Sequence, residues 1–177
     1  MVTERHSPLE ALAGRLEAAS GDAVALREVP FLAQVNVRAD AAAARALGLP
    51  LAPNTTRTDG ERTTLWLGPD EWLAVGPDGD AAAIAQELEA AGAGWVSTVD
   101  LSSNRTAIDL TGPGVRDLLA AGCSLDLHPR AFGPDRCAQT MLARAQVILE
   151  QRGEDAFRVH VRGSFAVYLA SWLIDAV

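Results

Sequence analysis

Lysine is absent from this sequence, because all 15 basic residues among its 177 are arginine. The absence excludes a Schiff-base lysine, a phosphate-loop lysine and a lysine general base. Arginine cannot replace such a base, since it keeps its proton in proteins. Acidic residues outnumber basic ones by 23 to 15, and the formal net charge is -8. A nucleic-acid surface needs basic residues to neutralise phosphates, so we predict no nucleic-acid partner.

Long apolar runs are also missing. The longest uncharged apolar run covers 165–174, whereas a membrane-spanning helix needs roughly 20 residues. The N-terminal residues contain no apolar segment of the kind that a secretory signal requires. We therefore expect a cytoplasmic protein without a membrane partner.

Cysteine and histidine are scarce, and their positions do not define a reactive centre. The spacing of Cys123 and Cys137 matches neither a metal knuckle nor a C-x-x-C redox motif, so we predict buried free thiols; a structural disulfide stays open. His128 follows Cys123 by five residues, and in an extended segment the two side chains would point apart, which argues against a nucleophile pair. His160 alternates with arginines and is expected to be solvated or interfacial. His6 lies in a segment expected to fray.

The remaining candidate motifs have structural explanations. Gly112-Pro113-Gly114 follows a predicted strand, but Asp117 stands where a dinucleotide fingerprint needs its third glycine, and the proline removes an amide. Four carboxylates cluster where turns and helix starts favour them, namely Asp70, Glu71, Asp78 and Asp80. No residue is thereby singled out as a catalytic group, a cofactor ligand or a metal ligand.

Hydrophobic periodicity and turn residues predict alternating strands and helices. The predicted strands are 23–29, 31–37, a hairpin over 63–75, 95–100, 106–110, and a second hairpin made of 139–150 and 157–161. The predicted helices are 9–19, 41–46 after an N-cap at Asp40, 81–91 before Gly92, one opened by Gly112-Pro113 and ended by Gly122, and a last one running to Asp175 after an N-cap at Ser164. The polar segment 50–62 is predicted to be a loop.

This element order contains a repeat. A strand, a short helix, a hairpin and a longer helix recur in 31–92 and 106–176. We predict an α+β fold in which two similar halves, about 22–99 and 100–177, form a single domain over 21–177. Residues 1–20 are expected to form an N-terminal arm with a short helix.

Two predicted elements carry more apolar surface than one buried face requires. In the hairpin, pairing of Trp66 with Leu73 and of Leu67 with Trp72 leaves neither face polar. The last helix is apolar nearly all round, so it needs cover on every side. Either the two halves cover each other or a partner protein does. The candidate interface residues are Trp66, Trp72, Tyr168 and Trp172.

Several longer motifs accumulate along the chain. They are, in order, Ser7-Pro8-Leu9, L-W-L-G-P-D-E-W-L at 65–73, D-L-S-S-N-R-T at 100–106, Leu110-Thr111-Gly112-Pro113, G-C-S-L-D-L-H-P at 122–129, Cys137-Ala138-Gln139-Thr140, and R-G-S-F-A at 162–166 followed by Trp172-Leu173. With these motifs, over roughly 7–176, the chain resembles the gamma subunits of heterotetrameric sarcosine oxidases.

The resemblance implies a fold similar to the folate-binding domain of the glycine-cleavage aminomethyltransferases. It also implies a noncatalytic subunit with alpha, beta and delta partners. Such a complex oxidatively demethylates sarcosine to glycine, makes hydrogen peroxide and passes the one-carbon unit to tetrahydrofolate. FAD, FMN, NAD and zinc are then expected in the partner subunits and no cofactor in this chain.

Two alternatives stay open. One is a free-standing folate-binding module of the same superfamily, such as the iron–sulfur maintenance proteins. Those proteins carry a K-G-C-[FY]-x-G-Q-E segment, which this sequence does not contain. The other is a structural adaptor of a different flavoenzyme.

Overall fold

The computed structural model describes residues 4–90 and 94–177. These residues form ten strands and five α-helices, with a 3₁₀ turn at Glu10–Leu12 ahead of the first helix. The strands are β1 (Ala25–Val29), β2 (Ala33–Ala39), β3 (Thr56–Asp59), β4 (Arg62–Gly68), β5 (Glu71–Gly76), β6 (Val96–Asp100), β7 (Arg105–Thr111), β8 (Cys137–Leu142), β9 (Ala145–Gly153) and β10 (Ala156–Arg162). The helices are α1 (Ala13–Ala19), α2 (Ala41–Ala46), α3 (Ala81–Ala90), α4 (Val115–Ala120) and α5 (Gly163–Ala176).

The strands form two antiparallel sheets of five strands each. The first sheet has the order β3-β4-β5-β2-β6, and the second has the equivalent order β8-β9-β10-β7-β1. This confirms the duplicated α+β fold, although each half has three antiparallel strands between its helices instead of a hairpin. The edge strand β1 precedes the first sheet in the sequence but pairs with β7, so the N-terminal segment completes the second sheet.

The two sheets pack face to face, and helices cover their outer faces. Helices α2 and α3 bury alanines and Ile84 against the outer face of the first sheet. Helices α1, α4 and α5 cover the outer face of the second sheet, and the larger apolar core lies between them and that sheet. The inner faces meet in a small apolar cluster made of Leu65, Leu73, Val75, Cys137 and Ile148. The result is a four-layer α/β/β/α arrangement.

Asp40 caps α2 as predicted. Its Oδ1 accepts hydrogen bonds of 2.9 Å from the backbone amides of both Ala42 and Ala43. Its Oδ2 accepts another from the amide of Trp95 at 2.8 Å. The amides of Trp95, Ala43 and Ala42 together lower the pKa of this carboxyl, since they stabilise its charged form. One carboxylate thus ties the start of α2 to the start of β6.

Three predicted elements differ from the structure. The predicted loop 50–62 contains β3, a polar edge strand that pairs with β4, and charged edge strands resemble loops in sequence. The predicted strand 139–150 is two strands, because Ala143 adopts a φ of +51° and turns the chain between β8 and β9. Helix α5 begins at Gly163 without a side-chain cap, so Ser164 is not the N-cap. The predicted end of α3 at 91–92 lies outside the described residues.

The predicted register of the first hairpin is wrong by one residue. Trp66 pairs with Trp72 and Leu65 with Leu73, because an irregularity at Leu67 adds one residue to β4. A one-residue shift moves side chains to the opposite face of a strand. Both tryptophans therefore face the helices, both leucines face the second sheet, and the chain itself covers both faces of the hairpin.

His160 is fully buried, and the expectation of a solvated or interfacial side chain is wrong. Side chains alternate along β10 as predicted, but the face that carries Arg158 and His160 is enclosed, so alternation did not indicate exposure. The Nε2 atom of His160 lies 3.3 Å from Oε2 of Glu150, which is 2% exposed. On the same face Arg158 forms a two-pronged ion pair with Asp109, at 2.6 and 2.9 Å.

The carboxylate of Glu150 is buried and still ionised. Burial by itself would raise its pKa. The hydrogen bond and charge of His160, with the nearby Arg152 and Arg158, outweigh burial and hold the pKa of Glu150 below its ordinary value. A group whose pKa is lowered on folding stabilises the fold while it is ionised.

Replacement of Glu150 by glutamine should make stability less dependent on pH. In the wild type the contribution of Glu150 is present above the ordinary pKa of 4.5 and is lost as the pH falls through the lower folded value. We expect Glu150→Gln to lower the free energy of unfolding by about 3 kcal/mol at neutral pH and to approach the wild type in acid. Urea unfolding across a pH series measures both effects.

The matched control is Glu61→Gln, which removes the same charge from an exposed turn between β3 and β4. This variant should follow the wild-type pH profile. If the unfolding free energies of Glu150→Gln and the wild type differ by the same amount over the whole pH series, the lowered pKa of Glu150 is contradicted.

Candidate functional site

Helix α5 is apolar on both its inner and its outer side. The inner side buries Ala166, Leu169, Ala170 and Leu173 at helical spacing against the second sheet. The outer side leaves Phe165, Val167 and Tyr168 exposed at 44%, 53% and 40%. Contiguous exposed apolar side chains of this kind mark interaction surfaces in folded proteins.

A groove of about 630 Å³ lies beside this helix, between α5, the end of α4 and the β8–β9 turn. The indole of Trp172 lies over Gly122, where a Cβ atom would come within 2.6 Å of the ring. The hydroxyl of Tyr168 accepts a hydrogen bond of 3.2 Å from the backbone amide of Arg144. Gly122 also accepts a hydrogen bond of 2.8 Å from the amide of Ala143. The two aromatic side chains are therefore held in place by their own chain.

The four candidate interface residues lie in two separate places. Tyr168 and Trp172 share the groove beside α5. Trp66 and Trp72 lie together on the outer face of the first sheet, in a different apolar cluster. Trp72 is only 1% exposed, and its Nε1 donates a 2.7 Å hydrogen bond to the carbonyl of Pro50. Trp72 therefore serves the core of this chain, whereas the other three residues keep some exposed surface.

Other exposed apolar residues did not stand out in the sequence. Phe165 and Val167 belong to the apolar run of α5, so the pattern contained them without showing which side faces outward. Trp95, the residue before β6, is 55% exposed, and Val99, within β6, is 54% exposed. No sequence signal indicated them, because their exposure depends on β6 being an edge strand.

Both cysteines are buried free thiols, as predicted. The thiol of Cys137 donates to the carbonyl of Trp66 at 3.4 Å, and burial raises its pKa to about 12. A thiol with this pKa is protonated at neutral pH and is a poor nucleophile. The Sγ atom of Cys123 lies 3.8 Å from the hydroxyl of Thr140.

The histidines outside the sheets make local contacts. The Nδ1 atom of His128 accepts a 3.2 Å hydrogen bond from the amide of Arg130, and the amide of His128 donates to Asp126 at 2.9 Å. His6 is exposed and lies 2.8 Å from Glu10 in the next turn. His128 and His6 therefore make short-range contacts with nearby residues of their own segments, although the segment of His6 was expected to fray.

The carboxylates near the turns form surface ion pairs. Asp70 pairs with Arg38, Asp78 with Arg5, and Asp80 with Arg62. Within 4–90 and 94–177, no group of three histidine, cysteine or acidic side chains could hold a metal ion. No helix in the part of the chain that the structure describes is long and apolar enough to cross a membrane.

The fold is shared with an aminomethyltransferase. The glycine cleavage system aminomethyltransferase T from Bartonella henselae superimposes with a TM-score of 0.68 at 17% sequence identity, over 92% of this chain and 48% of that chain. At this identity the likeness establishes the fold alone. It places the chain in the class of aminomethyltransferase-like α+β proteins and confirms the fold expected from the resemblance.

The sequence comparisons define the family within this class. The profile described as "Sarcosine oxidase, gamma subunit family" matches residues 33–177. Sarcosine oxidase subunit gamma from Arthrobacter sp. is 42% identical over 98% of this chain and 90% of that protein, and the one from Corynebacterium sp. U-96 is 40% identical over the same shares. A chain of heterotetrameric sarcosine oxidase from Corynebacterium sp. U-96 in complex with pyrrole 2-carboxylate superimposes with a TM-score of 0.87 and 39% identity, covering 97% of this chain and 94% of that chain. The chain belongs to the sarcosine oxidase gamma subunit family.

Replacement of Gly122 by alanine tests how the groove is built. The new methyl group would meet Trp172 at 2.6 Å and the backbone of Ala143 at 3.1 Å, so the indole must move. We expect a loss of about 1–3 kcal/mol in unfolding free energy, together with altered tryptophan fluorescence. Gly14→Ala in α1 is the control, because nothing lies within 4 Å of its new methyl group. Unchanged stability and fluorescence in Gly122→Ala would contradict this packing.

Proposed function

We propose that this chain is the noncatalytic gamma subunit of a heterotetrameric sarcosine oxidase and that it supports assembly of the complex. The observation that carries the proposal is the similarity to sarcosine oxidase gamma subunits over nearly the whole chain. A supporting role agrees with the placement of the reactive side chains, since Cys137 is a buried neutral thiol and His128 stabilises a loop.

The proposal assigns the chemistry to the other subunits. The alpha, beta and delta subunits would carry FAD, FMN, NAD and zinc. The whole complex would oxidise sarcosine to glycine, reduce oxygen to hydrogen peroxide and pass the one-carbon unit to tetrahydrofolate. This chain would contribute no cofactor ligand. We also propose that the complex works in the cytoplasm.

The outer side of α5 and its groove form the surface that we propose for a partner subunit. Aromatic side chains are enriched in the buried centres of protein interfaces. Tyr168 and Trp172 are already fixed by Arg144 and Gly122, so binding would cost little side-chain entropy. Phe165 and Val167 extend the apolar surface along the same helix. Trp66 remains a weaker interface candidate on the opposite layer.

A charge on the outer side of α5 should block assembly without unfolding the chain. Val167 is 53% exposed, so Val167→Asp should keep the melting temperature of the free chain and bury an unpaired charge only in the complex. We expect the tagged wild-type chain, co-expressed with the neighbouring reading frames, to purify as a hetero-oligomer and the variant to purify alone. Affinity purification followed by size-exclusion chromatography measures the difference.

Val99→Asp is the matched control, because Val99 is 54% exposed but lies on the edge strand β6. Normal assembly of Val167→Asp, or loss of assembly in Val99→Asp alone, would reject the α5 surface. A wild-type chain that stays monomeric and is fully active on a substrate by itself would reject the proposed function.

One cavity is the candidate folate site under the alternative of a free-standing folate-binding module. It measures about 370 Å³ and lies between α2, α3 and the β3–β4 strands, with Leu49, Ile84 and Leu88 among its lining residues. Its two arginines are already engaged, however. Arg62 pairs with Asp80 and Glu87, and Arg57 donates to a backbone carbonyl. A folate carboxylate would have to displace these contacts.

We expect the isolated chain not to bind tetrahydrofolate tightly. Titration calorimetry should show no binding in the low-micromolar range, because the cavity offers no disengaged cation. Low-micromolar binding that is lost in Leu49→Glu, a substitution at the cavity wall, would favour the free-standing module instead.

A further inference from the structure

Two arginines stand directly opposite each other where the second sheet ends. Arg105 is the first residue of β7, Arg162 is the last of β10, and the two are register partners. Directly opposed residues on antiparallel strands point to the same side of the sheet, with their Cβ atoms about 5 Å apart. Like charges in this position repel, so the pair costs the free chain stability.

The acidic residues of this chain leave the two guanidinium groups largely uncompensated. Burial and the charge of Arg162 lower the pKa of Arg105, and the charge of Glu71 opposes this effect without outweighing it. Glu71 itself is bound to Asn36 at 2.8 Å and to Arg38 at 3.4 Å. Among the described residues, no carboxylate lies within 4.0 Å of either Arg105 or Arg162.

A narrow cleft of about 40 Å³ lies between these arginines and the amide side chains of Gln139 and Gln146. The amide of Gln139 is oriented by its 3.1 Å hydrogen bond to the carbonyl of Leu67. A cleft this narrow suits a single small polar group. Guanidinium groups bind carboxylates through paired, charge-assisted hydrogen bonds.

We propose that Arg105 and Arg162 receive the carboxylate of an aspartate or glutamate side chain from a partner subunit. The inference rests on the proposed function, because it needs a partner. Arg162 leads directly into α5, and the exposed Phe165 follows three residues later. Residues two apart on a strand point to the same side, so Arg162 shares the side of His160, which faces the first sheet, and not the side covered by α5. The arginine pair therefore lies beside the start of α5, at the edge of the contact between the two sheets, and charged groups in such positions are typical of the rims of interfaces. A bound carboxylate offsets the repulsion that the free chain carries.

The test replaces both arginines by glutamine in the complex. With the co-expressed partners, the Arg105→Gln/Arg162→Gln chain should assemble with a dissociation constant at least roughly tenfold higher and with a weaker dependence on salt. The free double variant should melt at the same temperature as the wild type or higher, since the repulsion is gone. The control is Arg15→Gln/Arg130→Gln, which removes the same charge from two exposed positions outside the cleft.

Assembly of the Arg105→Gln/Arg162→Gln chain with the wild-type dissociation constant and salt dependence would overturn the arginine inference and leave the proposed function intact. A wild-type chain that forms no complex would overturn both.

A titration of acetate and phosphate into the isolated wild-type chain tests whether a free anion binds the two arginines. The NMR signals of the arginine Nε–H groups report the binding. Saturation of the two arginines by micromolar acetate would show that they bind a soluble carboxylate, and it would overturn the proposal of a partner side chain.

Discussion

The packing of the two sheets against each other is the constraint on which the rest of the structure depends. Their inner faces contribute few large apolar groups, and the second sheet adds ionised side chains that have to be paired before they can be buried. Glu150 meets His160, and Asp109 meets Arg158. Because each of these two carboxylates has a hydrogen-bonded partner, the sheets can stack and leave their outer faces to the helices. The place of α5 at the outside of the molecule follows from this arrangement.

Much of the fold could be predicted from the sequence, because hydrophobic period and turn chemistry are local properties. The cap at Asp40, the helices and the duplication were all accessible in this way. Other features were not, and three of them show why. The strand β3 has the composition of a loop, the extra residue at Leu67 shifts the hairpin, and His160 shares a face whose cover comes from elsewhere in the chain. The hydrophobic periodicity of a sequence shows which residues share a face of a strand or helix, but it does not show which segment of the chain packs against that face.

The candidate interaction surface could be predicted only in part, because the sequence shows which residues share a face but not what covers that face. The sequence identified α5 as too apolar for burial on one side, and the structure shows its inner and outer residues. The sequence also suggested Trp72 as an interface residue. Its indole is instead buried in the core, where it donates a hydrogen bond to the carbonyl of Pro50. The opposed pair of Arg105 and Arg162 was out of reach, because it exists only through the register between β7 and β10. Contacts between distant segments are the part of a site that local patterns omit.

The crossing of β1 to the second sheet has a consequence for the order of folding. The first sheet consists of one continuous stretch, from β2 to β6, and can form as soon as that stretch has left the ribosome. In contrast, β1 is synthesised first but has no partner until β7 has been made, since Ala25 pairs with Thr111. Closing so long a loop is entropically costly and slows the pairing. During synthesis β1 therefore stays unpaired, with Leu26 and Val29 as its large apolar side chains, until β7 has been made, and an unpaired strand is prone to aggregation.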